Sequence, residues 1–245
     1  MHVALGVVVF GLVPVASADM FTVTVENLGP QPLSPMIGIA HNSSFDIFTE
    51  GQTASLGIKK IAEGGDTSAM ESIVAAAGSD IGGWGKVAGG PLGTGDIRSF
   101  TISTDSDHPW FSFAMMLGKT NDGWLGIGAG DGALNLYSGM TAVGGMYLAK
   151  GADAWDAGTE LNTQNAADLG FLGGSGNPAD TDSNLIRHHA GIIPNVGDSW
   201  QQMPAWTQDQ NLARVTIAPV PEPASLAVLG IGALALVRRR RNKAS

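Results

Sequence analysis

The stretch "MFTVTVENL", Met20 to Leu28, limits the choice of fold more than any other part of the chain. Phe21, Val23 and Val25 alternate with Thr22, Thr24 and Glu26. Successive side chains of a strand point to opposite faces, so this spacing predicts a strand buried on one face. The pattern returns in "IRSFTIST" and in "ARVTIAP", where Val215 and Ile217 face one way. "MIGIAH" and "GWLGIG" read as further short strands, and the longer apolar run "PWFSFAMML" suits a central strand. Glycine and proline punctuate these runs, with 35 and 12 copies, and the prolines of "GPQPLSP" break any regular element. A glycine-rich loop is expected from Gly82 to Gly95. Two short helices are expected early. "ASLGIKKIAEGG" places Leu56, Ile58, Ile61 and Ala62 before two glycines. "SAMESIVAAAG" offers Ser68 as N-cap, Glu71 as the capping-box partner and Gly78 as the stop. Strands do not alternate with helices, so a parallel sheet is excluded. The fold class is mainly β: an antiparallel sandwich with one or two short helices and a C-terminal hydrophobic helix.

The two ends of the chain do not read as parts of that sandwich. Val3 to Val15 is almost wholly apolar and leads into Ala16-Ser17-Ala18. Small residues at Ala16 and Ala18 suit signal-peptidase cleavage after Ala18. At the other end, Pro221-Glu222-Pro223 precedes an uncharged run from Ala224 to Val237 and then Arg238, Arg239, Arg240 and Arg241. As a helix that run would reach roughly 21 Å, short of a bilayer core of about 30 Å, and the arginines extend it by snorkelling to the interface. Their charge places the arginine side in the cytoplasm and the bulk of the chain outside. These three parts, in this order, resemble a PEP-CTERM sorting signal. Such signals occur on exported proteins of Gram-negative bacteria that make extracellular polysaccharide. The resemblance implies processing by exosortase, a membrane protease, and a path from a membrane-anchored intermediate to the cell surface or the medium. The expected organisation is a signal peptide over 1–18, a sandwich domain over 19–219 and a sorting signal over 220–245, with a transmembrane helix at 224–237.

Charge narrows the function classes. The chain carries 13 basic and 22 acidic residues, for a net charge of −9. Up to Pro219 there are eight basic and twenty-one acidic residues, a net of −13. Such a surface repels nucleic acid and attracts divalent cations. The chain has no cysteine, which excludes disulfides and a thiol nucleophile.

Two internal stretches carry the densest chemistry. "AWDAGTE", Ala154 to Glu160, sets two carboxylates four apart around Gly158, and Asp153, Asp156 and Glu160 are candidates to face one cation. A hard cation such as calcium takes several oxygen ligands. "MLGKTNDGWLGI" sets Asn121-Asp122-Gly123 between two strands, which also suits a plain hairpin turn. "DTDSN", Asp180 to Asn184, starts like an EF-hand loop but has Leu185 and Gly191 where glycine and the bidentate glutamate belong. "RHH", Arg187 to His189, with His41 suggests a transition metal, but adjacent histidines on a strand point to opposite faces. No G-x-S-x-G is present, and Ser175 lies in "GGSGN".

In order along the chain stand Phe21 to Asn27, His41 to Gly57, "AEGGD" at Ala62 to Asp66, Thr120 to Trp124, Trp155 to Glu160 and Arg214 to Ile217. This series resembles the spondin domain of F-spondin, mindin and many bacterial surface proteins. The resemblance implies a C2-like eight-stranded sandwich with calcium held in loops at one end, and assigns ligands to Asp122 and Asp156, with Asp153 and Glu160 as further candidates. One departure is Gly123, which separates Asp122 from Trp124 where many relatives place the aromatic nearer the turn. The leading expectation is an exported binding or adhesion module stabilised by calcium. Its partners would be matrix components or exopolysaccharide, and it would not be an enzyme. A calcium-dependent carbohydrate-binding module is the alternative, with Trp84, Trp110, Trp200 and Trp206 as platforms if several lie on one exposed face. A metal-dependent hydrolase built on Asp122, Asp156 and a histidine in a cleft is the third reading.

Overall fold

A computed structural model describes residues 18–128, 132–174, 184–193, 195–197 and 205–221. Most of the expected signal peptide and the run 224–237 lie outside the described residues. Among the described residues, no helix is long and apolar enough to cross a membrane.

Thirteen strands and two α-helices are described. The early elements are β1 (Asp19–Asn27), β2 (Ile37–His41), α1 (Leu56–Gly64), α2 (Ser68–Ala77), β3 (Ile81–Lys86), β4 (Ile97–Thr104), β5 (Trp110–Met116) and β6 (Gly123–Ile127). The later ones are β7 (Leu134–Asn135), β8 (Tyr137–Ser138), β9 (Thr141–Ala142), β10 (Gly145–Lys150), β11 (Ala154–Asp156), β12 (Arg187–His188) and β13 (Asn211–Pro219). One antiparallel sheet runs β10-β13-β1-β4, and the other runs β12-β11-β6-β5-β2-β3, with β7 also pairing β5.

The alternating strands form the first sheet because only one of its faces is covered. Phe21, Val23 and Val25 meet Ile102, Val215 and Ile217 and the inner residues Phe111, Phe113 and Met115 of the second sheet. The second sheet is buried on both faces, which explains the unbroken apolar run of β5. Its other side carries Ile37, Ile39, Ala114 and Trp124, packed on Ile58 and Ile61 of α1 and Met70 and Val74 of α2. The fold is a sandwich with a helical third layer.

Local chemistry sets the helix ends. Ser55 caps α1, its side chain accepting from the Ile58 N–H, and Gly65 closes it at φ 68°. The second helix corrects the expected cap by one residue. Thr67 is the N-cap and gives no side-chain cap bond, while its hydroxyl donates to Glu71 at 2.6 Å. Ser68, the first helical residue, donates its N–H to Asp66 Oδ1 at 2.9 Å. The start of the expected glycine loop is also corrected, since Ile81–Lys86 forms strand β3. Its glycines serve close packing: a Cβ on Gly83 would stand 2.1 Å from the Ser103 carbonyl oxygen of β4.

The register fixes what lies at each end. Asn27 pairs with Ala213 and Phe21 with Pro219, so both chain ends leave the first sheet side by side. Tyr137 lies at that end: its hydroxyl donates to the Thr104 carbonyl at 2.9 Å and its ring meets Phe21 edge-on. Leu33 bridges Leu117 and Leu92, and Asn27 Nδ2 donates to the Leu92 and Gln31 carbonyls. The β5–β6 turn that carries Asp122 therefore sits at the opposite end. These are called the terminal end and the carboxylate end below.

Candidate functional site

The carboxylate end is built where β6 and β11 begin and end. Asp156 pairs with Gly123 across the two strands, and the Ala157 N–H donates to the Asp122 carbonyl at 3.1 Å. Asp122 and Asp156, 34 residues apart, thus become neighbours. The turn before β6 is held by Thr120, whose hydroxyl donates to the Leu117 carbonyl and accepts from the Gly123 N–H. Gly123 is required there: a Cβ would stand 2.5 Å from Thr120 Oγ1 and 2.9 Å from the His189 ring. Behind the pair, the ring of Phe48 meets Trp124 and Trp155 edge-on at 4.6 and 5.1 Å.

Both carboxylates are buried, and their partners differ. Asp122 Oδ2 accepts from the Thr159 N–H at 2.7 Å, the Glu160 N–H at 3.0 Å and the Thr159 hydroxyl at 3.3 Å. Asp122 Oδ1 is enclosed and has no hydrogen-bond partner. Asp156 Oδ1 accepts from the Gly158 N–H at 2.8 Å, and Oδ2 accepts from Asn162 Nδ2 at 2.5 Å and from Arg187 at 3.2 Å. Burial and then the charge of Asp156 push Asp122 up to about 6, against the pull of the Thr159 and Glu160 donors. Gly158, at φ 67°, makes the tight loop, because a Cβ there would meet the Leu185 backbone at 2.4 Å.

The remaining sequence candidates fall out differently. Asp153 is not brought to the pair. It precedes β11 by one residue, and its Oδ2 accepts from the Lys150 N–H at 2.7 Å, capping a single 3-10 turn. Glu160 reaches Asp122 through its backbone N–H. Among the described residues, no group of three or more histidine, aspartate or glutamate side chains is placed to hold a metal ion. The EF-hand-like positions 180–183 lie outside the described residues, as do Glu222, Pro223 and the four arginines.

Sequence reasoning missed Arg187 as a neighbour of Asp156 and set a histidine there only in the hydrolase reading; His189 is the histidine that lies there. The "RHH" run did show that the two histidines face opposite ways. His188 is exposed and stacks on Trp155 at 4.2 Å, while His189 is buried against Trp206. Burial holds the His189 imidazole well below its ordinary value, to about 4. Its Nδ1 accepts from the Gly191 N–H, and its Nε2 is enclosed without a partner. A hydrolase needs its histidine in a cleft, and this one is 5 % exposed. His41 is fully buried and joins Ser112 on β5 at 2.8 Å, tying β2 to its neighbour.

Among the described residues, the candidate tryptophans do not form one platform. Trp206 is buried, and Trp200 lies outside the described residues. Trp84 lines a groove of about 500 Å³ with Thr101 and Ser103, and Trp110 lines a separate cavity of about 300 Å³ with Ser43 and Ala133.

Two family models match the chain. The Spondin_N model matches residues 27–164, and the PEP-CTERM protein-sorting motif matches residues 219–241. No curated protein matches it. The Spondin_N match contains β1's last residue through β11 and both buried carboxylates.

Proposed function

The chain belongs to the Spondin_N family, and from that premise we propose that it is an exported binding module whose carboxylate end is organised by calcium. The sorting motif supports export, exosortase processing and a place at the cell surface or outside the cell. Both matched domain types are non-enzymatic, which favours recognition over catalysis. Matrix components and exopolysaccharide are the partner classes this reading carries.

One observation carries the calcium reading. A buried carboxylate oxygen, Asp122 Oδ1, has no donor and lies beside a second carboxylate. An unsatisfied buried acceptor costs about 1–3 kcal/mol, more for a charged group. A cation would satisfy it and cancel the repulsion. Asp122 and Asp156 would supply hard oxygen, the class calcium prefers, and the rest of its six to eight ligands would have to come from backbone carbonyls and water. Arg187 is the counter-charge that Asp156 already has, and a cation would compete with it. When bound, the ion would supply charge neutralisation and loop order; Asp122 and Asp156 would hold it.

The test is thermal unfolding of residues 19–219 with and without calcium. Calcium at roughly 100 times its dissociation constant should add about 2.7 kcal/mol. Asp122→Ala or Asp156→Ala should remove most of that gain, and Asp153→Ala should leave it. A melting temperature that ignores calcium overturns the reading. Sorting is tested by mass spectrometry of the protein in the extracellular fraction. Masses ending before the arginine cluster are expected, and an intact Ser245 end rules out exosortase cleavage.

A second reading, recognition of a neutral glycan, is favoured by the Trp84 groove. Among the described residues, its lining includes Gly82, Gly83, Thr101 and Ser103 and carries no charged side chain, in a chain of net charge −9. Trp84→Ala should abolish retention on a neutral polysaccharide column while leaving the calcium response intact; unchanged retention excludes this groove.

A further inference from the structure

We propose that the terminal end of the sandwich is a membrane-contact surface that rests on zwitterionic lipid headgroups while the chain is held by its C-terminal apolar run. This rests on the reading of residues 224–237 as a membrane anchor. Val220 donates its N–H to the Met20 carbonyl at 2.7 Å, so the last described residues are fixed to the sheet. Three residues, Pro221 to Pro223, lie between Val220 and Ala224, four Cα–Cα steps. At 3.3–3.6 Å per residue they span at most about 14 Å. An anchored chain therefore holds this end, and not the carboxylate end, against the bilayer.

The surface so placed is apolar. Met20, Met140, Val143, Met146 and Val220 are 41–72 % exposed there. Met140 occupies the tip of the β8–β9 hairpin, next to Gly139 at φ 61°. Val143 follows the hairpin, and Gly144 abuts the Ile217 carbonyl, which brings this segment beside β13. Met146 stands opposite Thr216 on the edge strand β10. Neither Leu136–Met146 nor Val215–Pro221 contains a charged residue. Unbranched methionine side chains adapt to an irregular apolar surface. Asp19, Asp105 and Asp107 stand at the same end on the β1–β4 side, which disfavours anionic lipid and assigns the contact to neutral headgroups.

The absence of cysteine makes the test direct. Single cysteines replace Met140, Val143 or Phe171 in the full chain and carry an environment-sensitive fluorophore. Phe171 is the control, exposed and apolar but packed on Gly118 at the carboxylate end. The probe is a phosphatidylcholine vesicle doped with nitroxide-headgroup lipid. Quenching at 140 and 143 is expected to exceed that at 171 several-fold. Equal quenching at all three sites overturns the proposal. So does protection of position 140 that rises with protein density and not with nitroxide lipid, which would identify a second copy as the occupant. A chain that fails to float with vesicles sinks the anchor reading and the proposal with it. A chain that floats with labels 140 and 143 unquenched sinks the proposal alone.

Discussion

The carboxylate end and the terminal end are made by the same strands, yet they bury opposite kinds of group. At the carboxylate end, Asp122, Asp156 and His189 are enclosed, and one oxygen and one ring nitrogen among them have no partner. At the terminal end, polar groups are paired: Tyr137 with Thr104, and His108 with Asp105 and Ser79. Apolar side chains stand outside at both ends: Met140 and Val143 here, and Ile97, Phe171 and Leu185 at the carboxylate end. An end that stores unmet electrostatic demand is suited to a charged ligand. An end that stores exposed apolar surface is suited to a partner that offers no charge. The fold is therefore asymmetric along its strands in how its buried polar groups are satisfied.

The largest expected effect comes from the aromatic cluster that backs only the carboxylate end. Trp124 is fully buried between Phe48 and Trp155. Trp124→Ala should cost about 3–5 kcal/mol in denaturant unfolding. It should also loosen β6 against β11 and blunt the calcium response. Tyr137→Phe at the terminal end removes one hydrogen bond and should cost about 0.5–1.5 kcal/mol, with the calcium response intact. If the two losses are equal, the ends do not differ in how tightly they are built.

The second effect separates the ends by pH. Asp122 holds its proton more tightly folded than unfolded, with a value of about 6 against an ordinary 3.8. The native state then binds more protons between about pH 4 and pH 6. Its contribution is fully present below pH 4, declines across that window and stays lost above it, amounting to about 3 kcal/mol. Asp122→Asn should abolish the slope and raise stability at pH 7 in metal-free buffer. The new amide can donate where a charge was unwelcome, and its carbonyl keeps the Thr159 and Glu160 donors. In saturating calcium the order should reverse, because the variant loses the cation. A variant that is less stable in both buffers would mean that Asp122 is a structural acceptor and nothing more.

How much of this could be read from sequence differs strand by strand. β1, β4 and β13 were legible because one wet face and one dry face leave an alternating record. β3 was not, because three glycines in six residues read as a loop, and their purpose, admitting β4, is a tertiary fact. β11 is three residues long, too short to show a period. Asp122 and Asp156 were legible through the family resemblance, and the pairing of β6 with β11 explains why they meet. Asp153 stands three residues before Asp156, and its carboxylate accepts from the Lys150 N–H, a contact that proximity in sequence does not record. The neighbourhood of Arg187 and His189 depends on β12 pairing with β11, and nothing local records a contact between segments 31 residues apart.

The smallest expected effect lies at the terminal end and tests whether its polar groups are truly satisfied. His108 is partly buried, which lowers its imidazole, but the Ser79 carbonyl and the Asp105 carboxylate outweigh that and raise it above its ordinary value. A raised folded value means that this contribution is fully present below the unfolded value near 6.5 and is lost as pH climbs through the folded one. A partly exposed pair of this kind is worth no more than about 1 kcal/mol. His108→Gln should flatten the decline in stability above about pH 6.5 and leave the Asp122 decline between about pH 4 and pH 6 untouched. Asp122→Asn should do the reverse. Because calcium addresses only the carboxylate end, it should erase the lower window and leave the upper one. An upper window that also vanishes with calcium would show that the two ends are coupled through the sheets, and that the division between them is not energetic.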